Sequence, residues 1–241
     1  MAVFALVGSH PGPDFSTVAA SALTGLEPER AEEVLEELAA AHLLTAHPGG
    51  RWAMHDLLAD HARHLPLAAK DAEQGGQEES RQRAVVRLLD FYTTTADAAN
   101  DHLRVTGRAQ ALAWLEAEHD NLIAAVRTAH RIGHTRTTIH LPAILAMYLG
   151  LRRRSEEAIA VHTLARDTAH HHDDARGEAM AWGNLGNALQ EVRREQEARE
   201  AFERAAQGFR ALRDEHSLAT AQSNLTRLRQ RPRRWWRFWQ R

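Results

Sequence analysis

Sixteen histidines and no cysteine set the chemical possibilities of this 241-residue chain. A metal ion held on a helix needs ligands three or four positions apart, so that they share a face. His61 with His64 and His130 with His134 have that separation, but neither pair brings a third ligand or the glutamate of a zinc-protease helix. His170-His171-His172-Asp173-Asp174 is the densest group, and consecutive helical positions diverge instead of converging. The histidines therefore read as surface residues, and no metal site is expected. Without cysteine there is no disulfide framework, thiolate site or thiol nucleophile. No serine, histidine and acid arrangement can be assigned either. The expectation is a non-enzyme with no catalytic residue and no cofactor of its own.

Two other stretches carry charge chemistry. The last residues place Arg233, Arg234 and Arg237 among Trp235, Trp236, Phe238 and Trp239. Indole prefers a lipid interface and guanidinium pairs with phosphate, so an anionic membrane is one partner for this tail. Single-stranded nucleic acid, through stacking and charge, is a second. Coverage of an unfinished helical repeat is a third. The other stretch is Glu116-Ala117-Glu118-His119-Asp120, whose acids suggest metal binding or catalysis. Glu116 and Asp120 lie opposite the apolar positions Leu115, Leu122 and Val126, so the run reads as a solvated helix face.

The elements that must position these groups are mostly helical. A composition of 44% hydrophobic and 26% charged residues is that of a globular chain long enough for one or two modules. No apolar run approaches the roughly 20 residues of a membrane span. Met1 to Val7 lacks the basic lead of an export signal. The expected location is cytoplasmic, with the tail as the one route to the inner membrane face. Seven arginines between 227 and 241, set against a total of −2, leave −9 on residues 1–226, which confines affinity for anionic polymers to the C-terminus.

Residues 1–66 predict helices and a hairpin. Ser16 suits the N-cap of a helix over Thr17 to Leu23, and Gly25 its left-handed stop. Pro28 opens a second helix with Glu29, Glu32 and Glu33 near its positive end. Leu43-Leu44-Thr45 and Arg51-Trp52-Ala53-Met54 flank a His47-Pro48-Gly49-Gly50 turn, and helix resumes at His55 until Pro66. Helices followed by such a hairpin resemble a winged helix. Its candidate recognition helix, Pro28 to His42, is acidic with only Arg30 basic, so DNA is not its expected partner. Residues 67–82 are polar and read as a flexible linker, and 83–135 as a helical spacer.

Residues 136–230 carry a forty-residue register. Ala181-Trp182-Gly183-Asn184-Leu185-Gly186 aligns with Ala221-Gln222-Ser223-Asn224-Leu225-Thr226, and Ala158, His162 and Ala165 align with Ala198, Phe202 and Ala205. Such a period predicts stacked helical hairpins. Trp182, Leu185, Gly186, Leu189, Ala198, Phe202 and Ala205 match the tetratricopeptide signature, with Arg210 where that signature has proline. On a concave face lined by the first helix of each hairpin, Asn184, Asn187, Asn224 and Arg227 are the expected contacts to a partner peptide or protein.

Phe4 to Phe15, Ala41-His42-Leu43-Leu44 and Met54-His55-Asp56-Leu57-Leu58, followed by the tetratricopeptide spacing, resemble actinobacterial signal-transduction proteins of the STAND class, with an NB-ARC type switch. The resemblance implies a mainly α protein: a winged-helix remnant with a small hairpin, a spacer, and a short tetratricopeptide α-solenoid ending in the tail at 231–241. It also implies a role in signalling or transcription regulation. In that family the Met-His-Asp histidine approaches the phosphate of bound ADP, which here would be His55. Residues 1–241 contain no phosphate-cradling loop, their one lysine being Lys70. His55 would therefore serve only with a nucleotide-binding chain supplied in trans. The reading favoured here is a non-enzymatic interaction module. Its alternatives are a sensor fragment working with such a separate chain and a peripheral membrane protein anchored through the tail.

Overall fold

Ser16 begins the helix over Thr17–Thr24 as its chemistry demands. Its Oγ accepts from Ala19 N at 3.2 Å, and Gly25 stops the helix at φ 77° with its N–H on Ser21 O. The computed structural model describes residues 2–67, 76–104 and 107–230, and among these the chain is mainly α, with twelve helices and one small antiparallel sheet. It divides into two compact units, residues 1–144 and 145–241.

In the first unit α1 (Ala2–Val7) is followed by strand β1 (Phe15–Ser16), α2 (Thr17–Thr24) and α3 (Pro28–Ala40). The acidic residues of α3 are largely exposed, and only Ala31 and Leu35 are buried. A hairpin of β2 (Thr45–His47) and β3 (Arg51–Ala53) turns through Gly49 and Gly50, whose φ values of 79° and 69° suit glycine. The sheet has order β1-β3-β2, with Phe15 opposite Trp52 and Ser16 opposite Arg51. Strand β1 is an addition to the expected hairpin. Trp52 is buried and donates from Nε1 to Thr17 Oγ1 at 3.0 Å, which ties the hairpin to α2.

Helix α4 (Asp56–His64) packs on α1, and a Cβ at Gly8 would lie 2.4 Å from Ala62 Cβ, so only glycine fits that crossing. Helix α5 (Gly76–Arg104) starts inside the stretch whose composition suggested a linker over 67–82; Glu78 and Glu79 in its first turn favour that start. Residues 68–75 lie outside the described residues. Helices α6 (Arg108–Ala117) and α7 (His119–Arg131) both pack on α5 and complete the unit, with Leu115, Leu122 and Val126 buried, as are Leu88, Leu89 and Tyr92 of α5.

Helix α8 (Thr135–Leu151) contains the division between units. It is followed by α9 (Ser155–His171), α10 (Ala175–Glu191), α11 (Glu195–Ala211) and α12 (Glu215–Gln230). Consecutive helices from α9 onward pack on one another. Each of these helices starts twenty residues after the last. The turns repeat as well: Gly133, Arg153, Asp173, Arg193 and Arg213 all have positive φ, between 54° and 73°. After each, one N–H reaches back five residues, as from Arg154 to Leu149 O at 2.9 Å and from Asp214 to Phe209 O at 2.9 Å. This bond satisfies carbonyls that a helix end would otherwise leave open. From α9 onward the helix starts alternate instead with a forty-residue period. Asp174 and Asp214 accept from Gly177 N and Ser217 N, whereas Arg154 and Arg194 reach Glu157 and Glu197.

Helices α10 and α11 approach most closely where side chains vanish. A Cβ at Gly186 would lie 2.7 Å from the Phe202 ring, and one at Gly208 2.8 Å from Ala179 Cβ. Phe202 is fully buried among Leu185, Leu189, Ala198 and Ala201.

His162 holds the position forty residues before Phe202 and is 2% exposed. Its Nδ1 is buried without a hydrogen-bond partner among the described residues, and burial holds its pKa down at about 4, against an ordinary 6.5. The folded-state value lies below the unfolded one, so the unfolded chain takes up the proton first on acidification. The neutral ring thus contributes stability that is complete above about pH 6.5 and lost as pH falls towards 4, about 3 kcal/mol in all. His162→Phe is expected to abolish that loss, making urea midpoints of this unit at pH 5 and pH 7 converge relative to the parent; unchanged divergence would refute the assignment.

Candidate functional site

Arg51 on β3 is the hub of a polar cluster inside the first unit. Its Nε and Nη2 donate to the two carboxylate oxygens of Asp14, at 2.9 and 2.6 Å, and its Nη1 donates to Glu118 Oε1 at 2.7 Å. Glu118 stands at the junction of α6 and α7 with its side chain 3% exposed. Here the solvated-face expectation fails for one residue. Glu116 and Asp120 are exposed, but Glu118 turns inward beside the buried His119 and Asn121.

The cluster has a fixed hydrogen-bond polarity. Gly12 N–H donates to His10 Nδ1 at 3.1 Å, which leaves the His10 proton on Nε2, where it reaches Tyr92 Oη at 2.9 Å. Tyr92 then donates a long bond of 3.5 Å to Glu118 Oε2, and Asn121 Nδ2 donates to the same oxygen at 2.6 Å. Burial drives the His10 pKa down to about 4 and the Tyr92 hydroxyl well up, so neither ionises near neutrality. Hydrogen bonding from Arg51 holds the Asp14 carboxyl below its usual range, and the same partnership raises the guanidinium. A Cβ at Gly12 would meet Asn121 Oδ1 at 1.9 Å, so the loop before β1 lies directly on α7. The carboxylates are already engaged by guanidinium and amide, and the cluster offers neither nucleophile nor free base. It fastens hairpin, loop and helices to one another.

His55 is exposed and forms the N-cap of α4, its Nδ1 accepting from Leu57 N at 3.3 Å. That bond places the ring proton on Nε2, a donor at the positive end of a helix. Asp56 follows in the first turn and is exposed.

Of the four residues expected to meet a partner, Asn187 and Arg227 are exposed, Asn184 is half-buried and Asn224 is 4% exposed. Asn224 Nδ2 donates to Asn187 Oδ1 at 3.2 Å, and Arg227 donates to Asn224 Oδ1. The structure thus joins three of them into one bonded row between α10 and α12. The spacing of Asn184 and Asn224 hinted at a shared face, but not that Asn224 would be spent on its neighbours.

A second feature of this unit was not foreseen. A cleft of about 520 Å³ lies between α9 and α11 with α10 as its floor. Trp182, Leu185 and Leu189 supply that floor at helical spacing, on a different face from Asn184 and Asn187. The Arg166 guanidinium lies 4.7 Å from the Trp182 ring centroid, and the indole N–H donates to Glu178 Oε1 at 3.3 Å. Glu197 and Glu200 form the rim.

Among the described residues no group of three histidine, aspartate or glutamate side chains is arranged to hold a metal ion, and no helix is long and apolar enough to cross a membrane. Tail residues Arg233, Arg234, Trp235, Trp236, Arg237 and Trp239 lie outside the described residues.

No family profile matches the chain, and no solved structure matches it. Two curated relatives share the same name. The chain is 27% identical to the regulatory protein AfsR of Streptomyces coelicolor over an alignment covering 93% of this chain and 28% of that protein. It is 35% identical to the regulatory protein AfsR of Streptomyces griseus over 148 residues, 54% of this chain and 15% of that protein. The chain therefore spans less than a third of the length of the curated relatives it matches, and what it shares with them is a segment of a regulatory protein.

Proposed function

We propose that this chain is a non-enzymatic regulatory module: a winged-helix segment and helical spacer followed by a short tetratricopeptide array that binds a partner peptide or protein. The observation that carries this reading is the similarity to AfsR regulatory proteins along 93% of the chain in one of the two alignments. Its support in the structure is the twenty-residue succession of stacked helices with glycine and alanine at their closest approaches. Asn184, Asn187 and Arg227 are the proposed partner contacts, with Asn224 holding the row together. Their mixed donors and acceptors suit main-chain recognition.

Selection of a displayed peptide library on the full chain tests this, with Asn184→Ala/Arg227→Ala as the counter-target. Peptides that bind the parent and lose about tenfold or more on the double variant are the expected result. No enrichment, or equal binding to both, would sink the asparagine face; peptides lost instead on Trp182→Leu would move the site to the cleft between α9 and α11.

The exposed Nε2–H of His55 favours a second reading, a sensor fragment to which a separate nucleotide-binding chain presents a phosphate. Contact with the anionic membrane or nucleic acid through 231–241 is compatible with either.

A further inference from the structure

A second cleft, of about 550 Å³, opens in the first unit where the C-terminal ends of α1 and α4 meet α5 and α7. Three guanidiniums line it, from Arg63, Arg81 and Arg131, together with His64, against a single lining carboxylate, Glu78. Their own bonds leave them short of negative charge. Arg81 donates to two backbone carbonyls, Ala5 O and Leu65 O, and Arg131 donates to Thr128 Oγ1. Neither has a carboxylate bonded to it among the described residues. Arg63 spends one donor on Gly8 O and holds Asp60 only at 3.4 Å. Partial burial of Arg81 lowers its pKa, the mark of a cation drawn from water without full compensation.

We infer that this cleft is a binding site for a small phosphate-bearing anion. The argument is one of charge, shape and donors together. Three guanidiniums against one lining carboxylate, with Asp60 answering Arg63 only from 3.4 Å, leave the cleft net positive. An anion with several oxygens, such as phosphate, can engage more than one of these guanidiniums at once, where a lone carboxylate engages one. Their planar forks match phosphate oxygens, and Ser9 adds a hydroxyl at the wall. The volume exceeds what a phosphate alone would fill and falls in the range of small-ligand pockets. Val85 and Ile132 give the surplus volume an apolar wall, so the anion carries an organic body. The competing role for these arginines is purely mechanical: Arg81 and Arg63 cap carbonyls at the ends of α1 and α4. That role asks nothing of Arg131, which bonds the neighbouring Thr128 hydroxyl on its own helix.

The phosphate could arrive on a free small molecule or on a phosphorylated side chain, and the two are separable. Glycerol 3-phosphate and a phosphoserine hexapeptide are titrated into the full chain by calorimetry, with sodium chloride matched for ionic strength. Saturable binding of at least one is expected, weakened about tenfold or more by Arg131→Gln, with the melting temperature of that variant unchanged. The tighter of the two identifies the source. Absence of saturable binding below 10 mM for both probes (roughly the weakest affinity a built site would show), equal response to chloride, or binding indifferent to both Arg131→Gln and Arg63→Gln would overturn the inference.

Discussion

Glu118→Ala is expected to destabilise the first unit by about 3–5 kcal/mol, enough to unfold many domains of ordinary stability. The reason is asymmetric. The carboxylate accepts from Arg51 and Asn121, and its removal leaves a guanidinium and an amide with unmet donors in a site where water has little access. Asp14 still neutralises part of the Arg51 charge, which places the effect towards the lower end of that range. The double variant Glu118→Met/Arg51→Met removes both charges of the buried pair and should recover part of the loss, the partly exposed Asp14 carboxylate turning to water once its guanidinium is gone. Hydrogen exchange of the α6 and α7 amides together with urea denaturation provides the measurement. A single-variant loss under 1 kcal/mol, or additive single variants, would show that the pair is not coupled.

Phe202→Ala is expected to cost the second unit about 3–5 kcal/mol, from lost burial and from a cavity its neighbours cannot close. Gly186→Ala is expected to cost about 1–3 kcal/mol although alanine is the better helix former, because its methyl would press on a ring that has no space to retreat. Combining Gly186→Ala with Phe202→Leu should cost less than the sum of the two, since the smaller side chain vacates the contested volume. Thermal unfolding of the three variants decides the matter; strict additivity would mean that the ring and the glycine do not define each other's position.

These two sites differ in how far the sequence reveals them. Gly186 and Phe202 sit sixteen residues apart within a register that repeats, so spacing alone marks them as a close helix crossing. Ser16, Gly25 and Pro28 were equally legible, because a cap, a left-handed stop and a first-turn proline act through the few bonds beside them. The Arg51 cluster had no such signature. Its members come from positions 10, 14, 51, 92, 118 and 121, and chain folding alone brings them together. One signal was present: Glu118 lies three residues after Leu115 and four before Leu122, in phase with the apolar stripe instead of the acidic face. Strand β1 was missed for a related reason. Two residues cannot show an alternation, and pairing with β3 supplies what the local pattern lacks. The cleft walled by Arg63, Arg81 and Arg131 likewise draws on four separate helices or their ends.

The recurring left-handed residue at Gly133, Arg153, Asp173, Arg193 and Arg213 also bears on how such an array can change length. Because every turn closes with the same backbone geometry, chain can be removed or added between any two of them without redesigning a loop. The helix starts are not equivalent, however: from α9 onward those preceded by arginine alternate with those preceded by aspartate. An excision of twenty residues would join matching turns but set two helices of the same kind side by side, whereas forty would restore both rhythms. Growth and loss in this half of the chain are thereby quantised in whole hairpins, with the backbone tolerating each step and the side chains deciding which steps survive.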